Sequence, residues 1–172
     1  LLLQAVAAAR EAIGGLGLVL IGEGPERAAL EGEADRLGIA DQVVFAGWRH
    51  DTADWYRILD AFVLSSRTEA LPIALLEAMA AGLPIVATAV GDVSAIVAES
   101  GAGVVVPPGD AAALTAGLRS VISDRSLQRE MADRGRAWVV AHFSIDAMAS
   151  EYRGAYRLPS PNLPGRSQSP AQ

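Results

Sequence analysis

Five short aliphatic runs, each followed by a turn and then a helix-patterned stretch, leave this chain few choices of fold. They are Leu18–Ile21, Val43–Ala46, Ala61–Ser65, Ile85–Ala89 and Gly103–Val106. Such runs are too short for core helices and too uniformly apolar for strands with one wet face. They suit parallel strands covered on both sides. Residues 1–13 read as a buried helix that Gly14, Gly15 and Gly17 end. Further helices are expected over Pro25–Leu37, from Asp51 to about Leu59, Leu71–Ala81, Val93–Glu99, Asp110–Ile122, Ser126–Ala141 and Ile145–Tyr156. On Pro25–Leu37, Ala28, Ala29, Leu30, Ala34 and Leu37 share one side, and Asp51 is placed to cap its helix. The alternation predicts an α/β fold: a Rossmann-like parallel sheet with helices on both faces. Residues 1–157 form its one domain, and 158–172, rich in Pro, Ser and Gln, read as a disordered tail.

Composition narrows the chemistry. Hydrophobic residues make up 51% of the 172 and aromatics only 5%, so the core is aliphatic. The net charge is −6, which makes a poor nucleic-acid binder. All 14 basic residues are arginine, so lysine serves neither as a phosphate ligand nor as a Schiff base. The lack of cysteine excludes disulfides, thiolate metal sites and a cysteine nucleophile, and fits a cytoplasmic protein. No apolar run reaches the roughly 20 residues a bilayer crossing needs, and Leu1–Ala9 lacks the basic flank of a signal peptide. No cluster of metal-ligating side chains stands out.

Open α/β sheets bind ligands beyond the carboxyl ends of their strands. Three stretches lie there: Gly22–Pro25, Gly47–His50 and Ser66–Pro72. Gly22 and Gly24 form a glycine turn ahead of a helix, where backbone amides can approach a phosphate. Taken alone, this segment reads better as an ordinary strand-to-helix turn, and Arg27 stands where a dinucleotide fingerprint needs a small residue. Glu69 and Glu77 carry more weight. On one continuous helix they would be separated by about 12 Å of rise and about 80° of rotation. They therefore cannot grip one small atom together, but they can contact different parts of an elongated ligand. Glu77 lies among Leu75, Leu76, Ala78 and Met79. A ligand's paired hydroxyls would satisfy it there; a solvent-facing or helix-paired glutamate is the equal alternative.

Glu69-x7-Glu77, followed by Ala78-Met79-Ala80-x-Gly82-x-Pro84-Ile85-Val86-Ala87, resembles the donor-site signature of retaining GT-B glycosyltransferases, in particular glycosyltransferase family 4. Residues 18–30 and 43–51 also resemble that family's second and third strands with their loops, and the likeness runs over roughly residues 1–155. It implies the C-terminal, donor-binding half of a GT-B fold and transfer of a sugar from a nucleotide diphosphate with retention. Glu77 would bind the ribose hydroxyls, and Glu69 would be the catalytic residue beside the donor sugar and its leaving diphosphate. The backbone amides of Ala70, Leu71 and Ile73 would face the donor at a helix N-terminus. Gly22 and Gly24 would lie below the diphosphate, and Arg49 and His50 would border the base. No metal cofactor is implied.

The resemblance also implies partners. An N-terminal domain ahead of Leu1 would bind a sugar, lipid or small-molecule acceptor. It would be followed by the first, central strand of the present domain, and an Arg and a Lys for the diphosphate would lie just upstream of the helix at residues 1–13. Without that strand, the strands at 18–21 and 61–65 would lack the neighbour between them, leaving the isolated chain inactive, marginally stable and prone to associate. Peripheral contact with the inner face of the membrane stays open. Departures from the pattern are Pro72, where many relatives have glycine, and Asp92, Ser94 and Ala95 in a loop that is commonly Gly-Gly-x-Pro-Glu. Two alternatives stand: a sugar-nucleotide epimerase of GT-B architecture, and a non-catalytic nucleotide-binding fragment. A nicotinamide dehydrogenase fits less well because of Arg27.

Overall fold

In the computed structural model, which describes residues 1–157, every aliphatic run becomes a strand. In chain order the elements are α1 (Leu2–Ile13), β1 (Leu18–Ile21), α2 (Arg27–Arg36), a 3-10 turn (Ala40–Gln42), β2 (Val43–Gly47), α3 (Thr52–Tyr56) and β3 (Phe62–Leu64). Then follow α4 (Ile73–Ala80), β4 (Ile85–Thr88), α5 (Val93–Ser100), β5 (Gly103–Val106), α6 (Ala111–Ile122), α7 (Arg125–Phe143) and α8 (Ile145–Tyr156). The tail expected at 158–172 lies outside the described residues.

All described strand pairs are parallel, and they fall into two sheets, β1–β2 and β3–β4–β5. β4 runs through the centre of the larger sheet. Ile85 and Ala87 join a cluster with Leu75, Met79, Val93 and Ile96 from α4 and α5 and Val139 from α7. Val86 joins a second cluster with Leu3, Val6, Leu114 and Leu118 from α1 and α6. Alternation along the strand thus sends side chains to opposite faces, and each face is covered by helices. Each fully buried aliphatic side chain here contributes on the order of 1.5–3 kcal/mol.

β1 and β3 do not pair. Between them lies a cleft of about 880 Å³, walled by the two strands and by Leu2, Val6, Leu118 and Ile122 from the helices. The sheet is therefore interrupted at the place where a central strand was expected to be missing. Caps define the last three helices. Asp110 accepts from the Ala113 N–H at 2.9 Å, Asp124 from Ser126 and Leu127 at 2.8 and 3.1 Å, and Ser144 from Ala147 at 3.2 Å.

Three local expectations are corrected. Pro25 lies outside α2, because the Arg27 N–H closes a turn on the Gly24 carbonyl at 3.3 Å before the helix starts. The proposed apolar side of α2 buries only Ala34; Leu30 remains 39% exposed, since α2 packs chiefly on the edge of α1 and on the 3-10 turn. The helix after Asp51 ends at Tyr56, and the Asp51 side chain makes no capping bond. Its two carboxylate oxygens are held instead by Arg49, at 2.8 and 2.7 Å.

Candidate functional site

The turn after β3 is built around Glu69. The buried Thr88 hydroxyl, at the end of β4, donates to the Ser66 carbonyl at 2.7 Å. The Ser66 hydroxyl in turn donates to Glu69 Oε1 at 2.7 Å. On the far side, the Asp92 N–H donates to the Ala70 carbonyl at 3.0 Å. Gly91 presses on the same turn: a Cβ there would lie 2.3 Å from the Glu69 carbonyl oxygen and 2.4 Å from that of Ala70. Its φ of +50° also favours glycine. The loop at 91–95, although it departs from the family pattern, thus still shapes the Glu69 turn.

Pro72 precedes α4 in extended conformation, and the first turn of the helix is closed by the Leu75 N–H bonding to the Pro72 carbonyl at 3.1 Å. The opening amides of a helix have no partner within it. Ala70, Leu71 and Ile73 are exposed around this opening. Glu69 lies ahead of the helix, so the spacing computed for one continuous helix does not apply. Glu77 sits on α4 itself. Leu75, Leu76, Ala78 and Met79 are buried beside it while its own side chain is exposed. Its Oε2 accepts a hydrogen bond from the Tyr56 hydroxyl at 3.2 Å. Burial pushes the Tyr56 phenol up to about 12, and the Glu77 charge and hydrogen bond add in the same direction.

The turn after β1 differs in kind. Gly22 has φ +132°, and its N–H donates to the Gly47 carbonyl at 2.8 Å, so that amide is engaged within the fold. A Cβ on Gly22 or Gly24 would meet nothing within 4 Å. Arg27, which broke the fingerprint, fastens this turn to its surroundings. It bonds Glu23 at 3.4 Å, Glu31 at 2.9 Å and the Phe45 carbonyl at 3.3 Å. Arg49 and His50 follow β2 as exposed loop residues. The Arg49 guanidinium lies 5.5 Å from the centre of the Trp55 ring and grips Asp51, which holds the Asp51 carboxyl below its usual value. The His50 ring stands edge-on to Trp48 at 3.9 Å.

The structure therefore groups Glu69, Ala70, Leu71, Ile73 and Glu77 around the start of α4, with Gly22, Gly24 and Arg49 on turns after β1 and β2. Of these residues, only Glu77 borders the large cleft, while Ile73 and Glu77 border a smaller apolar groove against α7. The cleft lies where the sheet is broken, and strand edges and aliphatic side chains share its wall with Gln42, Thr52, Asp60, Arg125 and Gln128. Sequence reasoning passed over Tyr56 and Thr88, and took Ser66 only as the start of a candidate stretch. The one available signal was Tyr56, an aromatic just ahead of a strand in a chain with few aromatics.

Residues 1–138 match the model of the family described as glycosyl transferases group 1. The chain belongs to that family. It is 35% identical over 138 residues to the lipopolysaccharide core biosynthesis glycosyltransferase LpsE of Rhizobium meliloti, covering 80% of this chain and 41% of that protein. It is 30% identical over 139 residues to N-acetyl-alpha-D-glucosaminyl L-malate synthase of Bacillus anthracis, with 81% and 36% covered. Among solved structures, sucrose-phosphate synthase of Thermosynechococcus elongatus superposes with a TM-score of 0.79 at 30% identity, over 90% of this chain and 41% of that one. The C-terminal domain of a group 1 glycosyl transferase, LpcC of Francisella tularensis, superposes with a TM-score of 0.75 at 28% identity, over 84% and 78%. This group 1 chain thus has the α/β architecture of GT-B glycosyltransferases and spans about two fifths of the length of LpsE. Among its described residues, no helix is long and apolar enough to cross a membrane.

Proposed function

We propose that this chain is the donor-binding half of a retaining glycosyltransferase of family 4, which moves a sugar from a nucleotide diphosphate to a sugar, lipid or small-molecule acceptor. The observation that carries this reading is the pair of glutamates before and within α4, each held by a hydroxyl: Glu77 by Tyr56 at the end of α3, and Glu69 by Ser66 of its own turn. Glu77, with Oε2 on Tyr56, turns its carboxylate to the ribose hydroxyls. The first turn of α4 offers unpaired amides and the positive end of a helix dipole to the diphosphate. Glu69, held by Ser66, stands beside the donor sugar as the catalytic residue. Gly22 and Gly24 leave open space for a phosphate over their turn. Arg49 borders the base, with Asp51 restraining its guanidinium.

The chemistry is positioning combined with stabilisation of the leaving diphosphate, and it calls on no metal ion. LpsE and the Bacillus synthase are each more than twice as long as the part matched here, so the acceptor site belongs to another domain. The chain alone binds the donor without transferring the sugar. The test is calorimetric titration of the chain and of Glu77→Gln with UDP-, GDP- and ADP-glucose. Losing a charge-assisted bond to a ribose hydroxyl lowers affinity about tenfold to a hundredfold. Equal affinity in the variant refutes the ribose assignment. In the full-length enzyme, the anomeric configuration of the product, read by NMR, decides retention against inversion.

A further inference from the structure

Glu77 is one of only two glutamates bonded to a hydroxyl among the described residues, and its partner is unusual for a surface carboxylate. Tyr56 ends α3, 21 residues earlier in the chain, and is only 8% exposed. Its ring belongs to the core cluster that contains Leu75 and Met79, and it meets the Phe62 ring edge-on at 6.2 Å. The ring is thus fixed by packing on both α4 and β3, while the hydroxyl emerges beside Glu77. A phenol raised to about 12 stays protonated at every physiological pH, so it remains a donor. Glu77 is otherwise a flexible, exposed side chain on a helix, with several rotamers open to it. Oε1 has no partner among the described residues, and a carboxylate offers about four acceptor positions.

We propose that Tyr56 is a positioning residue: its hydroxyl locks one oxygen of Glu77 so that the carboxylate is already aimed when it accepts vicinal hydroxyls of a ribose. This rests on the reading of Glu77 as a ribose ligand. The effect is one of pre-organisation, since a side chain held in its bound rotamer loses less freedom on binding. The role is separable from simple core filling, because phenylalanine at 56 keeps the ring and its packing and removes only the donor.

The experiment is a titration of four proteins: the chain as it stands, Tyr56→Phe, Glu77→Gln and the double variant. The probes are UDP, ADP and GDP, each beside its 2′,3′-dideoxy counterpart. Wild type is expected to prefer the ribose form of at least one nucleotide, and Glu77→Gln to lose that preference. Tyr56→Phe is expected to weaken the ribose form about fivefold and leave the dideoxy form unchanged. Adding Tyr56→Phe to Glu77→Gln should change neither, because one residue acts through the other. An equal loss for ribose and dideoxy forms, no loss at all, or additivity in the double variant each overturns the positioning role. If instead Glu77→Gln keeps the preference, or wild type binds no nucleotide, the ribose reading itself has failed and the inference goes with it. Thermal unfolding of Tyr56→Phe near neutral pH verifies that the core is intact.

Discussion

β1 and β4 carry nearly interchangeable sequences, Leu-Val-Leu-Ile and Ile-Val-Ala-Thr, and end in opposite environments. Ile85, Val86, Ala87 and Thr88 are each 0% exposed, while all four residues of β1 are only half-buried. β4 has a strand on either side and helices over both faces. β1 has a strand on one side and the cleft on the other. On β2, Val44 is 52% exposed, and α2 buries a single alanine. Burial is thus set by the neighbours a strand finds, and the aliphatic composition of the run states only what it could tolerate. Both glutamates of the candidate site belong to the better-packed half. Gly22, Gly24 and Arg49 belong to the other.

The widest consequence concerns the chain as a whole. Unpaired β1 and β3 edges face an open cleft, so the free energy of unfolding is expected at or below about 5 kcal/mol, the bottom of the usual range. Self-association should rise with concentration. Urea unfolding and light scattering measure both, and hydrogen exchange should find β1 and β3 amides opening well before those of β4. A cooperative transition of ordinary midpoint, with uniform protection, would remove the contrast between the halves.

Within the better-packed half, Gly103→Ala is expected to cost about 3 kcal/mol or more. A Cβ there would sit 1.9 Å from the Ile85 carbonyl oxygen and 2.6 Å from its carbon, so β4 and β5 must part. At Gly17, leading into β1, the nearest atom is 3.9 Å away, and alanine should be neutral within about 0.5 kcal/mol. Chemical denaturation of the two variants compares the halves directly, and equal costs would break the comparison.

A smaller effect is reserved for alkaline pH. Tyr56 titrates near 10 when unfolded and near 12 in the fold. A raised folded value means the stabilisation is complete below about pH 10 and is lost as pH climbs through 12, which amounts to about 2–3 kcal/mol. The chain lacks lysine and cysteine, so neither of those side chains contributes in this window. Tyr152 and Tyr156 are 59% and 70% exposed. Unfolding measured between pH 9 and 12 should therefore show a limb that Tyr56→Phe flattens. A limb unchanged in that variant would place the alkaline sensitivity elsewhere.

Much of the fold was legible because it rests on local patterns. β1, β5 and α8 begin and end where the apolar runs and the helical pattern put them. The interrupted sheet was legible only through the family resemblance, since no run of residues announces an absent neighbour. Misreadings arose where a side chain had two local options. Asp51 could cap α3 or pair with Arg49 two residues back, and the guanidinium won with two charge-assisted bonds. Of the site, the two glutamates were visible as a spaced pair. Their partners were not: Tyr56 reaches Glu77 across 21 residues, and Thr88 reaches Ser66 across 22, contacts that exist only once β3 and β4 lie side by side.

The finest discrimination lies in the turn after β1. Gly22 is required by conformation, because φ +132° is costly for any side chain, and Gly22→Ala should lose about 1–3 kcal/mol. Gly24 has no such excuse. Its backbone is ordinary, and a Cβ would meet nothing within 4 Å, so Gly24→Ala should leave stability within about 0.5 kcal/mol of wild type. A glycine that the fold does not need is one that an approaching ligand can need. If Gly24→Ala unfolds normally and yet binds UDP, ADP or GDP more weakly, the backbone here comes close to a phosphate, and the less-packed half carries part of the site. If affinity also stays unchanged, the turn after β1 is structural, and binding falls to the opening of α4 alone.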